Sequence, residues 1–261
     1  MTFWIAITTS NQLIFAADQK FSGDAGWWLE RKIQRVGDLV MCGAGSEVML
    51  RGLALMPHVL SGVAQQDSDA EVRAGLDAVG ALLAAEYGYY NAVVANRTPV
   101  RGRIFLPHDT RTMLVVAGLD ARGVPFIARG DSPAFRFQLY GPWHCATAPA
   151  RIGLDGVPRP IQMPAARQVS VDWADYFSRR AIDVIRDVAN ANPEQVSPSA
   201  DLWVIGPSGI VTKSFDDAGE LVAEWRGACM SDFEEPDATT GGQVTATRRT
   251  PTFERSATST T

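Results

Sequence analysis

TFWIAITTSNQLIFAADQKFSG, residues 2–23, holds two short apolar runs, 2–8 and 12–18, separated by the polar turn Ser10-Asn11-Gln12. Runs of this length, rich in β-branched and aromatic residues and broken by turn formers, predict a β-hairpin. A second pair follows: KIQRV (32–36) and DLVMCGA (38–44) flank Gly37-Asp38. Two hairpins ahead of any helical pattern call for antiparallel sheet, not the strand–helix alternation of a doubly wound nucleotide-binding fold.

From Ser46 the spacing changes. Val48, Leu50, Leu53, Leu55 and Val59 suit one face of a helix, and Asp67-Ser68 open a second helix through about Tyr87 that aligns Val72, Leu76, Val79, Leu82 and Leu83. MLVVAGL (113–119) and VPFIARG (124–130), joined by Asp120-Ala121-Arg122-Gly123, predict another hairpin, and FRFQLY (135–140) continues the sheet. Residues 141–169 contain five prolines and are expected to be an extended loop. Asp172 then caps a helix through about Ala191, and LWVI (202–205) and IVTKSF (210–215) close the series as a hairpin across Gly206-Pro207-Ser208-Gly209. Residues 1–230 are expected to be one folded domain. Residues 231–261, rich in Thr and Ser without apolar periodicity, are expected to be a disordered tail.

A net charge of −5 over 261 residues, without a basic stripe, argues against a nucleic-acid partner and against a polybasic membrane patch. No run approaches the ~20 apolar residues of a membrane span. Three widely spaced cysteines and the lack of a signal-peptide pattern lead to the expectation of a cytoplasmic protein. Neither metal nor cofactor is expected. His144-Cys145 has no partner at ligand spacing in His58 or His108. Gly43-Ala44-Gly45 lacks the third glycine of a dinucleotide loop, and Gly206-Pro207-Ser208-Gly209 joins two strands, unlike a nucleophile elbow.

What chemistry remains begins at Thr2. Once Met1 is removed, the residue carries both a hydroxyl and an α-amine of pKa near ~8, so nucleophile and proton acceptor are one residue. A nearby lysine ammonium lowers the amine's pKa by like-charge repulsion, and a carboxylate holds that lysine in place. Which carboxylate and lysine fill these roles is implied by a resemblance.

The chain resembles the proteasome β-subunit family of N-terminal nucleophile hydrolases. The resemblance is carried by Thr2 before a strand, Ala16-Ala17-Asp18 with Ser22 shortly after, and Lys32-Ile33 leading into VGDLVMCGAGSE. It implies an α+β fold, a four-layer αββα sandwich of two antiparallel sheets flanked by helices. It implies Thr2, Asp18 and Lys32 as catalytic residues and the Gly45 N–H as oxyanion donor. Lys20, Ser22, Gly43 and Glu47 are implied for substrate binding, with Trp27 and Trp28 near the side-chain pocket. Where the family carries Gly-Ser-Gly, this chain has Cys145-Ala146-Thr147-Ala148, making Thr147 the matching hydroxyl, with Gly130-Asp131-Ser132 as the competing match. For a second carboxylate after the last long helix, Asn192, Glu194 and Ser197 stand as alternatives. The implied activity is a threonine-type endopeptidase acting on peptides or unfolded protein, in rings of identical subunits, with an ATPase as a possible partner. A non-catalytic ring scaffold, or an amide ligase using the same threonine, are the alternatives.

Overall fold

The computed structural model describes residues 3–23, 26–29, 31–45, 62, 63, 65–95, 112–148, 161 and 172–228. The first hairpin forms as β1 (Trp4–Thr8) and β2 (Leu13–Asp18), with Trp4 opposite Ala17 and Thr8 opposite Leu13. Every residue of both strands is buried, because each face of the sheet is covered. That is why the sequence there is nearly continuously apolar, where a half-exposed antiparallel strand would alternate.

Four more strands complete this six-stranded sheet, in the order β10-β1-β2-β11-β12-β13. They are β10 (Cys145–Ala148), β11 (Ala200–Gly206), β12 (Gly209–Phe215) and β13 (Leu221–Gly227). A five-stranded sheet runs β5-β6-β7-β8-β9, from β5 (Gln34–Val36) and β6 (Leu39–Gly45) through β7 (Thr112–Leu119) and β8 (Pro125–Asp131) to β9 (Gln138–Tyr140). β3 (Lys20–Gly23) and β4 (Gly26–Leu29) form a separate hairpin.

Alternation along the strands sorts the core. Trp4, Ala6, Phe15 and Ala17 share the space between the sheets with Val40, Cys42, Val115 and Ile127. Ile5, Ile7, Ile14 and Ala16 face the other way, onto helix α2 (Trp173–Ala191) through its Phe177, Ala181, Ile185 and Val188. Each large apolar side chain so buried contributes ~1.5–3 kcal/mol. On the five-stranded sheet, helix α1 (Asp69–Ala95) lays Val72, Leu76, Val79 and Leu83 on Leu39, Met41, Leu114 and Val116. Ser68 starts α1, its hydroxyl accepting from Glu71 N at 3.3 Å and donating to Glu71 Oε2 at 2.8 Å. Asp172 caps α2 by accepting from Asp175 N at 3.2 Å.

The expectation of a four-layer αββα sandwich is corrected here. The described residues form a mostly β structure, two antiparallel sheets face to face and a separate two-stranded hairpin, with only two helices. Three strands fall where none had been read. β10 lies in the proline-rich stretch assigned to loop, β4 follows the short β3, and β13 lies beyond the last expected hairpin. β10 is four small residues, and β13 is largely exposed, so neither shows apolar periodicity. The helix expected over 46–59 and the tail at 231–261 lie outside the described residues. No described helix is long and apolar enough to cross a membrane.

Two glycines of α1 separate propensity from packing. An added Cβ at Gly80 would lie 2.3 Å from the Phe135 backbone oxygen, whereas at Gly88 nothing lies within 4 Å. Gly88→Ala is therefore expected to stabilise the fold by up to ~1 kcal/mol through helix propensity. Gly80→Ala is expected to destabilise it by ~1–3 kcal/mol through overpacking. Chemical denaturation of the two variants checks the opposite signs.

Candidate active site

Asp18 ends β2 where the chain turns into β3, and it is fully buried. Its Oδ1 accepts from Phe3 N at 2.7 Å and from Lys32 Nζ at 2.8 Å, and its Oδ2 accepts from Lys20 N at 3.0 Å. Asp18 N in turn donates to Phe3 O at 3.0 Å. One carboxylate thus fastens the start of the first strand, the β2–β3 junction and Lys32. A charge so enclosed needs this many donors, since an unpaired buried carboxylate is far costlier than a paired one.

Burial dominates the electrostatics of the pair. It pushes the Asp18 carboxyl above the usual carboxylate range and the Lys32 amine below its usual value, and in each case the partner's charge and hydrogen bond pull back. Buried ionisable pairs perturbed in this way cluster at functional sites. Cys42 on β6 feels the same Lys32 and Asp18 charges, but burial pushes its thiol up to about 12, so it stays protonated and is no rival nucleophile.

The other expected positions within the described residues lie on β3, β6 and β10. Gly43 and Gly45 lie on β6 opposite Leu114 and Thr112 of β7, Gly45 being the strand's last residue. Lys20 and Ser22 lie on β3, opposite Leu29 and Trp27 of β4. The Lys20 ammonium donates to Pro193 O at 2.6 Å, in the loop between α2 and β11. Thr147 lies on β10 opposite Ile5. Directly opposed residues share a sheet face, so its register is that of the α2 side, where Ile5 packs. The rival match, Ser132, receives Thr112 N on its Oγ at 3.0 Å, at the far sheet's β7–β8 ladder. Thr2 and Glu47 lie outside the described residues.

A further buried carboxylate escaped sequence reasoning. Asp201, at the head of β11, accepts from Gln19 Nε2 at 2.8 Å and Ser214 Oγ at 2.6 Å, and its Oδ1 lies 3.9 Å from Arg31 Nε. It therefore ties β11 and β12 to Gln19 and Arg31, the neighbours in sequence of Asp18 and Lys32. The three alternatives considered for a second carboxylate do other things. Asn192 caps α2, its side-chain amide donating to Val188 O at 2.9 Å. Ser197 Oγ donates to Ser199 O at 3.1 Å, and Glu194 is exposed. In the sequence DLWVIG reads only as an aspartate before an apolar run, the pattern of a turn, so no local signal marks Asp201 as buried.

No family model matches the chain, and no curated protein matches it. Among solved structures it is similar to a mutant of Anbu from Hyphomicrobium sp. strain MC1, at 13% identity over 87% of each chain with a TM-score of 0.52. It is also similar to Anbu, described as an ancestral beta-subunit, from Yersinia bercovieri, at 14% identity over 86% of each chain with a TM-score of 0.51. At these identities the likeness shows the fold alone. The resemblance to proteasome β-subunits drawn from residues 2–50 is corrected accordingly. The similar structures are Anbu proteins, matched weakly, and the chain itself is largely two sheets.

Asp201 supplies a pH test of the site's wiring. Burial raises its pKa above 3.8, against the hydrogen bonds of Ser214 and Gln19 and the charge of Arg31. The native state thus holds this proton more tightly than the unfolded chain. The contribution to stability is full below 3.8 and is lost as pH rises through the native value. Asp201→Asn stays neutral throughout, so its unfolding free energy relative to wild type is expected to increase as pH rises across that window. Urea titrations at a series of pH values measure the slope.

Proposed function

We propose that the chain is a threonine-type amidohydrolase acting on peptide bonds, with Thr2 as nucleophile after removal of Met1. The observation that carries this reading is the hydrogen bond from Phe3 N to the Asp18 oxygen that also binds Lys32. The amide that follows Thr2 is tied to a buried lysine–carboxylate pair, and a one-residue linkage lies between that tie and the chain's head. A stretch meant only to begin a strand has no need of a buried cation, whose desolvation costs several kcal/mol.

The chemistry then runs in two steps. The Thr2 α-amine takes the hydroxyl proton as the oxygen attacks the substrate carbonyl, and Lys32 disfavours the protonated amine by like-charge repulsion. Asp18 holds Lys32 in place. The Gly45 N–H is the donor assigned to the developing oxyanion, an interaction that typically contributes ~3 kcal/mol. As the tetrahedral adduct collapses, the proton held by the Thr2 amine passes to the leaving nitrogen, the amine product departs, and the ester left on Thr2 is hydrolysed by water. An extended peptide would add beside β3 through main-chain hydrogen bonds, giving affinity with little sequence preference. The fold shared with a protein described as an ancestral beta-subunit supports assembly of identical copies, in rings as the reading has it.

Intact mass tests the proposal before and after treatment with a β-lactone or epoxyketone. Wild type is expected to lack Met1 and to gain one adduct. Thr2→Ala is expected to gain none, Thr2→Ser to retain labelling, and Lys32→Ala to label at least ~100-fold more slowly while keeping its circular dichroism. Retained Met1, or an adduct on Thr2→Ala, overturns the reading. The first of these outcomes favours a non-catalytic scaffold.

A further inference from the structure

The chain between Asp18 and Lys32 leaves both large sheets. Among the described residues β3 and β4 pair with each other alone, so the 2.8 Å ion pair is closed across a hairpin that neither large sheet carries. Where Lys32 and β3 stand therefore depends on what holds the two roots of that hairpin. Gln19 is the residue before β3, and Arg31 lies between β4 and Lys32. Asp201 meets both: its Oδ1 accepts from Gln19 Nε2 at 2.8 Å and lies 3.9 Å from Arg31 Nε. Gln19 N also donates to Ser199 O at 3.1 Å, so the head of β11 grips the first root twice.

The carboxyl is used unevenly. Oδ1 takes both Gln19 and Ser214, whereas Oδ2 is buried without a hydrogen-bond partner among the described residues. A bare anionic oxygen in the core is costly. A proton on Oδ2 removes that charge without touching either bond on Oδ1, and burial raises the pKa in the same sense. A buried polar group of this kind contributes little net stability over a well-packed apolar one, but its contacts run to the hairpin roots. We propose that Asp201 is a positioning residue for the Thr2 reaction: through Gln19 and Arg31 it clamps the roots of the β3–β4 hairpin, and so sets where the Lys32 amine and the substrate-pairing strand stand. The role in catalysis rests on Thr2 being the nucleophile; the clamp does not.

Lysine NMR on the full chain tests it, alongside covalent labelling. The chain has three lysines, Lys20, Lys32 and Lys213, so isotopic labelling of lysine reads Lys32 as one of three signals. Burial holds the Lys32 amine below its usual value, and loosening the roots lets water reach it. Asp201→Ala and Gln19→Ala are therefore each expected to raise the Lys32 titration midpoint by at least ~0.5 pH unit and to slow labelling by saturating β-lactone at least ~10-fold. Asp201→Asn keeps an oxygen that accepts from Gln19 and Ser214, and is expected to stay within ~0.2 pH unit and ~3-fold of wild type. Asn and Ala remove the same charge, so only the clamp separates them. Ser214→Ala leaves the roots held and is expected to behave as Asp201→Asn does. A carboxyl that merely stabilised the fold would instead make Ser214→Ala and Gln19→Ala alike, both less stable with Lys32 unmoved. Should Asp201→Ala not fold, Gln19→Ala against Asp201→Asn decides. A wild type that takes no adduct removes the Thr2 reading, while the Lys32 signal still decides the clamp. A Lys32 midpoint unmoved in the alanine variants at 19 and 201, an asparagine variant as displaced as alanine, or full labelling by both alanine variants would each overturn the proposal.

Discussion

A single buried carboxylate organises this molecule. Asp18 sits where β2 ends, yet its two oxygens take the amide of Phe3, the amide of Lys20 and the ammonium of Lys32. Each donor comes from a different stretch, and none could be removed without leaving charge or backbone polarity unpaired in the core. The energetic logic is of necessity more than of gain. Buried ion pairs contribute little net stability compared with an apolar replacement, but losing one partner costs ~3–5 kcal/mol. Such a pair is poor evidence of selection for stability alone, and it agrees with a functional role for Lys32.

The rest of the architecture keeps that pair dry. Trp4 and Phe15, 6.0 Å apart and edge to face, fill the space between the sheets on one side of the first hairpin. α2 covers the other side through Phe177 and Ile185. A second polar knot, Asp201 with Gln19 and Ser214, links β11 and β12 to the β2–β3 junction. The two carboxylates are reached from opposite ends of the chain, and together they fix the backbone around residues 18–20 from both neighbouring strands.

How much of this could be read from the residues depended on whether the signal was local. The first two hairpins were legible because turn residues interrupt apolar runs, and the apolar runs are continuous where both faces are covered. Asp18 and Lys32 were picked out only through the resemblance drawn from residues 2–50, and the structure brings them within 2.8 Å. Asp201 was not, since an aspartate before an apolar run ordinarily marks a turn. Only the pairing of β11 with β2, across more than 180 residues of sequence, turns it inward. β13 was missed for the reverse reason. Its one core-facing aromatic, Trp225, stands among exposed neighbours, so no period of two emerges. The four-layer arrangement came from the resemblance, whereas the described residues form two antiparallel sheets with two helices.

The placement of β1 also governs how the molecule can be made. Of the described elements β1 is made before the others, but its two sheet neighbours are β2 and β10, the latter emerging some 140 residues later. β2 in turn waits for β11, at residues 200–206. Through most of translation the leading hairpin therefore carries two open flanks and no lid. Non-local strand pairing of this kind is slow and exposes sticky intermediates. Vectorial synthesis thus seals the core around the first hairpin only when the closing strands arrive.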